Sequence, residues 1–246
     1  MNRYVLASIL VALLVIVSIT PAMAASDITV RVTVIGPDGD PLKNVKVMLY
    51  DDTGAKVDED ATDENGTAVL TVTANETYLI VVKGEYYILD TVTVSGDTNK
   101  TVDASVMHLA NLTSEPKNVD VKVVLVAFED VTLTMTTNIT VYSPSDINVT
   151  YPKEVVEVPY KYVLDKIEYD GKETNKTTIT LDMAEDYKVV AHYTKTFYLT
   201  LEYWLLVVLV LIIIVALAVA WTAGSRTAKT VIEEYREKNR KFVKKK

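Results

Sequence analysis

The sequence contains no cysteine and no glutamine, and it has only two histidines among its 246 residues. Without cysteine the chain cannot form disulfides, thiolate metal sites or a thiol nucleophile. His108 and His192 lie far apart in the chain, so a zinc site would need carboxylates from distant segments. We therefore expect no metal ion and no other cofactor.

Common catalytic motifs are missing as well. The chain has no Gly-x-Ser-x-Gly elbow, no phosphate-binding glycine loop and no His-Glu-x-x-His motif. Pairs of carboxylates do occur, but any strongly acidic surface contains such pairs, so they do not indicate a glycosidase. We predict that the protein is not an enzyme and has no catalytic residues.

Long hydrophobic runs occur at only two places, one near each end of the chain. The second run, Trp204 to Trp221, is 18 residues long and has no charged side chain. At about 1.5 Å per residue such a run approaches the roughly 30 Å of a bilayer core. It predicts a single transmembrane helix over 202–223, with Trp204 and Trp221 at the two membrane interfaces.

The first run has the composition of a secretory signal peptide. Arg3 supplies the positive start, residues 5–19 form the apolar segment, and Ala22 and Ala24 provide small residues at the exit. This pattern predicts a signal peptide over 1–24, cleaved between Ala24 and Ala25. The alternative is an uncleaved N-terminal anchor, which would give two membrane spans.

Charge is distributed very unevenly along the chain. Nine basic and three acidic residues lie in the tail after the second run, whereas 25–202 holds 15 basic and 30 acidic residues, a net charge of −15. The basic tail, 224–246, is therefore predicted to be cytoplasmic, which makes the protein a type I single-pass protein of the cell membrane with most of the chain outside. So acidic an exterior excludes nucleic acid as a partner and favours a basic or cation-bridged one.

The exterior alternates apolar and polar residues in short runs that are separated by turn-forming clusters. This pattern predicts an all-β fold. We expect two tandem β-sandwich domains, transthyretin-like or immunoglobulin-like, over 25–107 and 119–201, the second next to the membrane. Asn111, Ser114 and Pro116 interrupt the alternation between them, which predicts a linker over 108–118.

The first of these domains resembles a known family. Residues 27–107 are similar to carboxypeptidase regulatory-like domains in a glycine–proline link, a Thr-Asp-x-x-Gly turn and a tyrosine-containing strand. The matching positions are Gly39, Pro41, Leu42, Asn44 and Val45, then Thr62, Asp63, Asn65 and Gly66, then Tyr78, Gly84 and Tyr86. The resemblance implies a transthyretin-like sandwich of seven strands, and it implies almost nothing about function.

Asn-x-Thr sequons, the acceptor sites for N-glycosylation, are frequent in the exterior. They lie at Asn65, Asn75, Asn99, Asn111, Asn138, Asn148 and Asn175. Five are predicted to lie in turns or in the linker, where a glycan would be solvated, whereas Asn138 and Asn148 lie in or beside predicted strands. We predict a glycoprotein.

Carboxylates cluster in two places of the first domain. They are Asp51 and Asp52, then Asp58, Glu59, Asp60, Asp63 and Glu64. One interpretation is a calcium site, although the spacing matches no EF-hand loop. The favoured interpretation is a charged strand edge that discourages aggregation.

These features together predict a non-enzymatic cell-surface glycoprotein with a structural, adhesive or protein-interaction role. Its partners would be membrane lipid and another surface or membrane protein or an envelope glycan. The composition, without cysteine or glutamine and with many charged residues, is typical of an archaeal-like surface protein from a hot habitat. The alternative function is that of an accessory subunit of a transporter, respiratory or translocation complex.

Overall fold

The computed structural model describes residues 27–116 and 118–243. The chain divides into two compact units. The first unit holds the described residues up to Pro152 together with Leu164–His192, and the second holds Lys153–Val163 and the residues from Tyr193 onward.

Seven strands make up the first part of the fold. They are β1 (Ile28–Ile35), β2 (Lys46–Tyr50), β3 (Lys56–Ala61), β4 (Thr67–Val72), β5 (Thr77–Lys83), β6 (Tyr87–Thr93) and β7 (Thr98–Asp103). One sheet has the order β4-β1-β7, in which β1 is antiparallel to β4 and parallel to β7. Strands β3-β2-β5-β6 follow one another in a larger second sheet. Seven strands in two facing layers agree with the predicted β-sandwich.

The core of this first sandwich follows from the alternation of side chains along its strands. Val30, Val32 and Val34 of β1 are fully buried, while the intervening Arg31 is exposed. They belong to the same apolar cluster as Leu49 and Ile80 of the opposite sheet. Because successive side chains of a strand point to opposite faces, one sequence builds both the core and the solvated surface.

Polar side chains connect the two sheets on both sides of the first sandwich. Asp60 and Asp58 of β3 accept hydrogen bonds from the backbone N–H groups of Val69 (2.9 Å) and Thr71 (2.8 Å) of edge strand β4. On the other side, Lys100 of β7 forms a 2.8 Å ion pair with the buried Asp90 of β6. The bonds to β4 occupy N–H groups that an edge strand would otherwise leave open to pairing with another chain.

Ten further strands complete the β structure. They are β8 (His108–Glu115), β9 (Asp120–Leu125), β10 (Leu133–Thr136), β11 (Ile139–Ser143), β12 (Ile147–Thr150), β13 (Glu154–Glu157), β14 (Tyr160–Tyr169), β15 (Lys172–Thr174), β16 (Thr178–Leu181) and β17 (Tyr187–Phe197). Strands β10-β9-β12-β16 form a four-stranded sheet. The larger sheet runs β13-β14-β17-β8-β11-β6-β5-β2-β3, with β15 paired to β14, and so contains ten strands.

The predicted linker over 108–118 is wrong for most of its length. Residues His108–Glu115 form strand β8, which lies between β11 and β17. The strand was hidden because Ser114 is a polar residue at a buried position. Its hydroxyl is satisfied by the Thr137 hydroxyl at 2.6 Å and the Pro116 carbonyl at 2.5 Å, so burial costs little.

The two sandwiches of the first unit therefore share one continuous sheet instead of being joined by a flexible connection. The junction is the parallel pairing of β11 with β6, in which Val141 is opposite Tyr87 and Tyr142 is opposite Ile88. The compact units accordingly do not divide at the predicted boundary between 107 and 119. The predicted fold class, all-β sandwiches followed by one C-terminal apolar helix, is confirmed.

A single long helix, α1 (Leu201–Val243), ends the described chain. Its segment Leu201–Gly224 contains an 18-residue window with a mean hydropathy of 3.2 and is long and apolar enough to cross a membrane. The helix continues through the segment predicted as a basic tail. It begins one residue before the predicted position of 202, at Leu201.

Candidate functional site

The predicted interface residues lie near the two ends of the apolar segment of α1. Trp204 is 52% and Trp221 80% exposed, and the backbone N–H of Trp204 donates to the carbonyl of Thr200 in the first turn. The two tryptophans are 17 positions apart in the sequence, which corresponds to about 25 Å of helix. That spacing suits indole rings at opposite faces of a bilayer core.

The predicted cleavage position, Ala24 and Ala25, lies outside the described residues.

Six of the seven sequon asparagines are exposed. They are Asn65, Asn75, Asn99, Asn111, Asn138 and Asn175. Asn99 and Asn111 correct the prediction in one respect, because they lie on strands β7 and β8 rather than in a turn and a linker. Their side chains occupy outward positions of the alternation, so exposure does not depend on a loop.

Asn148 differs from the other six sequon asparagines. It lies half-buried on β12, a strand with a paired neighbour on each side. Its side-chain oxygen accepts a 2.6 Å hydrogen bond from the Thr180 hydroxyl. Asn138, which the sequence placed in or beside a strand, lies in the turn between β10 and β11 with a φ of 69°. Its position is therefore more accessible than the sequence indicated.

Two aspartates of the acidic clusters, Asp51 and Asp63, accept hydrogen bonds from nearby backbone N–H groups. The Asp51 carboxylate accepts from the hydroxyl and N–H of Thr53 and from the N–H of Ala55, which lowers its pKa, the hydroxyl bond contributing most. The pKa of Asp63 is lowered mainly by the backbone N–H of Thr67 and next by that of Asn65. These bonds hold the turns on either side of β3 in shape.

Acid should therefore weaken the fold through these turns. The pKa of Asp63 is below its ordinary 3.8 in the folded chain, so its contribution is present above that pH and is lost as pH falls through the lower folded pKa. We expect Asp63→Asn to destabilise the protein at pH 7, and the difference from wild type to shrink as pH is lowered below 3.8. Chemical unfolding across pH measures both. A difference that stays constant with pH would contradict the assignment.

Among the described residues, no group of three or more histidine and carboxylate side chains is arranged to hold a metal ion.

The sequence did not reveal the surroundings of His192, which lies between Glu115 of β8 (3.4 Å) and Glu168 of β14 (3.6 Å). Parallel pairing of β17 with β8 puts His192 and Glu115 in register, and no sequence spacing could have indicated that. His108 contacts Asp186 at 3.2 Å.

An open cleft of about 530 Å³ brings together carboxylates from both sandwiches of the first unit. Its lining residues include Asp52, Glu76, Glu129 and Asp130, with Phe128 beside them. Threonines and an alanine complete the lining, so the cleft does not place a nucleophile beside a histidine or lysine base. Its chemistry is that of an acidic surface that attracts cations and basic groups.

Comparison with known proteins gives only distant similarities. No family model and no curated protein matches the chain. Among solved structures, the shaft pilin SpaA from Lactobacillus rhamnosus GG is 8% identical over 69% of this chain and 98% of its own, with a TM-score of 0.24. The minor pilin of Streptococcus agalactiae is 11% identical over 70% and 98%, with a TM-score of 0.25. A streptococcal ancillary pilin is 12% identical over 71% and 64%, with a TM-score of 0.26. TM-scores this low assign neither a shared fold nor a shared function.

Proposed function

We propose that this chain is a non-enzymatic, single-pass cell-surface glycoprotein with a structural or adhesive role at the cell envelope. The observation that carries the proposal is the position of the sequons: all seven precede the apolar helix, and six of their asparagines are exposed. The basic tail follows the helix. Glycan acceptors on one side and basic residues on the other fit one orientation across a membrane.

The first sandwich in this proposal is a carboxypeptidase regulatory-like module. Its seven strands in two layers, and the Thr62–Gly66 turn between β3 and β4, support that assignment. Because the second sandwich shares the larger sheet with the first, the two sandwiches would act as one stiff body that presents its faces to a surface protein or an envelope glycan. Acidic side chains on that body favour a basic or cation-bridged partner.

Glycopeptide mass spectrometry of the native protein tests this proposal. We expect glycans at the six exposed asparagines and the lowest occupancy at Asn148, whose side chain is half-buried and bonded to Thr180. The same digest shows whether the mature chain starts at Ala25. Asn44 and Asn118, which are not followed by Thr or Ser at the second position, serve as internal negative controls.

Two outcomes would contradict the proposal. Unmodified peptides at all six exposed sites would remove the assignment as a glycoprotein. Labelling of the tail on intact cells by a membrane-impermeant reagent would reverse the orientation. Recovery of a stoichiometric membrane complex in mild detergent would favour the accessory-subunit alternative over a free surface protein.

A further inference from the structure

Exposed apolar side chains are concentrated in the second unit just before the membrane helix. Among the described residues between 27 and 200, eight large hydrophobic side chains are exposed, and five of them lie in 153–163 or 193–200. The five are Val156 (47%), Val158 (38%), Tyr160 (37%), Phe197 (67%) and Tyr198 (39%). The other three, Val57, Val69 and Val106, lie singly on the first sandwich. Single exposed valines are ordinary, whereas a contiguous patch marks an interaction surface.

The patch is built on a β-hairpin whose turn is tied to the chain next to the membrane. Strand β13 pairs with the first residues of β14, and Val158 and Pro159 make the turn between them. The Pro159 carbonyl accepts a 2.8 Å hydrogen bond from the N–H of Tyr198. The rings of Tyr160 and Phe197 meet edge to face, 6.3 Å apart. The turn is therefore held beside residues 197 and 198.

Chain length then limits how far the turn can lie from the membrane. The helix begins at Leu201, three residues after Tyr198. Three extended residues span at most about 10 Å. The headgroup layer on each side of the hydrocarbon core is about 5–8 Å thick. A turn bonded to Tyr198 is thus held within reach of the headgroup layer by covalent geometry alone.

The polar part of the patch matches that location. The ammonium group of Lys195 lies 3.6 Å from the centre of the Tyr160 ring, and that of Lys161 lies 5.6 Å from the centre of the Tyr198 ring. Lys161 is also paired with Glu154. Tyrosine and lysine side chains each have an apolar body and a polar end, the combination found at membrane interfaces.

We propose that the hairpin turn, Val156–Tyr160, inserts together with Phe197 and Tyr198 into the outer headgroup layer of the membrane. The proposal rests on the proposed single-pass anchor and adds a second attachment of this unit to the bilayer. The charged residues of the unit, up to and including the first turn of the helix, balance in sign: Lys153, Lys161 and Lys195 against Glu154, Glu157 and Glu202. Contact should therefore depend on apolar and aromatic burial, and it should persist at high salt and on zwitterionic lipid.

The cysteine-free chain allows a direct depth measurement. The full chain carrying Val158→Cys is labelled at that cysteine with an environment-sensitive fluorophore. It is reconstituted at one copy per nanodisc, and the phosphatidylcholine of the nanodisc includes lipid with a spin label on its headgroup. Val57→Cys is the matched control, because Val57 has the same exposed fraction of 38% and lies on β3 of the first sandwich. Leu209→Cys, within the apolar segment and quenched by a chain-attached spin label, reports insertion of the helix itself.

We expect the spin label to cause a loss of fluorescence at position 158 that is absent at position 57 and unchanged by salt. Equal quenching at 158 and 57, with Leu209→Cys quenched, would overturn the hairpin proposal and leave the anchor intact. Loss of quenching at 209 would instead overturn the anchor. A third outcome is that the label at 158 is not quenched by the spin label and that its fluorescence instead changes with the number of chains per nanodisc. A second copy of the chain would then cover the patch, which also overturns the proposal. Val156→Cys repeats the measurement should Val158→Cys fold poorly by circular dichroism.

Discussion

Replacing Gly66 with alanine is expected to destabilise the first sandwich by about 3 kcal/mol, for two additive reasons. Gly66 adopts a φ of +75°, which side chains on L-residues disfavour. A Cβ atom at this position would also lie 2.9 Å from the Val34 carbonyl oxygen and 2.9 Å from Pro41 Cβ. The Val34 oxygen is backbone and cannot move aside without disturbing β1, whose residue Val34 donates its N–H to the Gly66 carbonyl at 2.8 Å.

Gly39 provides the matched control for this substitution. Its φ is +85°, but no atom lies within 4 Å of the position a Cβ would take. Gly39→Ala should therefore cost only the backbone term, about 1 kcal/mol. Denaturant unfolding of both variants separates the two causes. Equal losses in the two variants would show that the close approach to β1 contributes nothing.

Leu112→Ala is expected to cost about 3 kcal/mol, which is the usual result of opening a cavity in a packed core. Leu112 is completely buried on β8, where it pairs with Ile139 of β11 and Val189 of β17. Its carbonyl also accepts a 2.7 Å hydrogen bond from Asn138. Alanine keeps the backbone bonds and the sequon at Asn111, so the loss measures side-chain packing alone. Thermal and denaturant unfolding of the full chain report it.

Leu109→Ala is the control on the same strand. Leu109 is half-buried, so its truncation should cost about 1 kcal/mol. The comparison distinguishes a packed strand from the linker that the sequence predicted over 108–118. In a linker the two substitutions would have similarly small effects, and that result would contradict the shared sheet.

Sequence patterns predicted the local features of this protein well where one physical signal dominates. The alternation of Val30, Val32 and Val34 identified β1, because a half-buried strand cannot avoid a period of two. The uninterrupted apolar run identified the C-terminal apolar helix, because a run of that length and composition has a strong helical and membrane-spanning signature. The turn at Thr62–Gly66 was recognisable from its residue types, and the structure gives Gly66 the positive φ they require.

The same patterns failed where burial was combined with polar chemistry. Strand β8 was missed because Ser114 is buried beside Thr137, and local alternation cannot reveal a partner 23 positions away.

A turn was missed for a different reason. The segment from Val155 to Ile167 alternates like one strand, but a turn at Val158 and Pro159 divides it into β13 and β14. Proline does signal such a turn, since it cannot donate to a ladder.

The sequence by itself determined the all-β class, the apolar helix, the sequons and the sign of the charge on each side of that helix. All of these depend on residue type and short-range period. Only the tertiary structure decided that the two sandwiches share one sheet, that Asp58 and Asp60 bind the edge of β4, and that Pro159 is bonded to Tyr198. These features are pairings between residues 9 to about 50 positions apart. Many registers would satisfy the same local pattern, and only packing of the complete chain selects one.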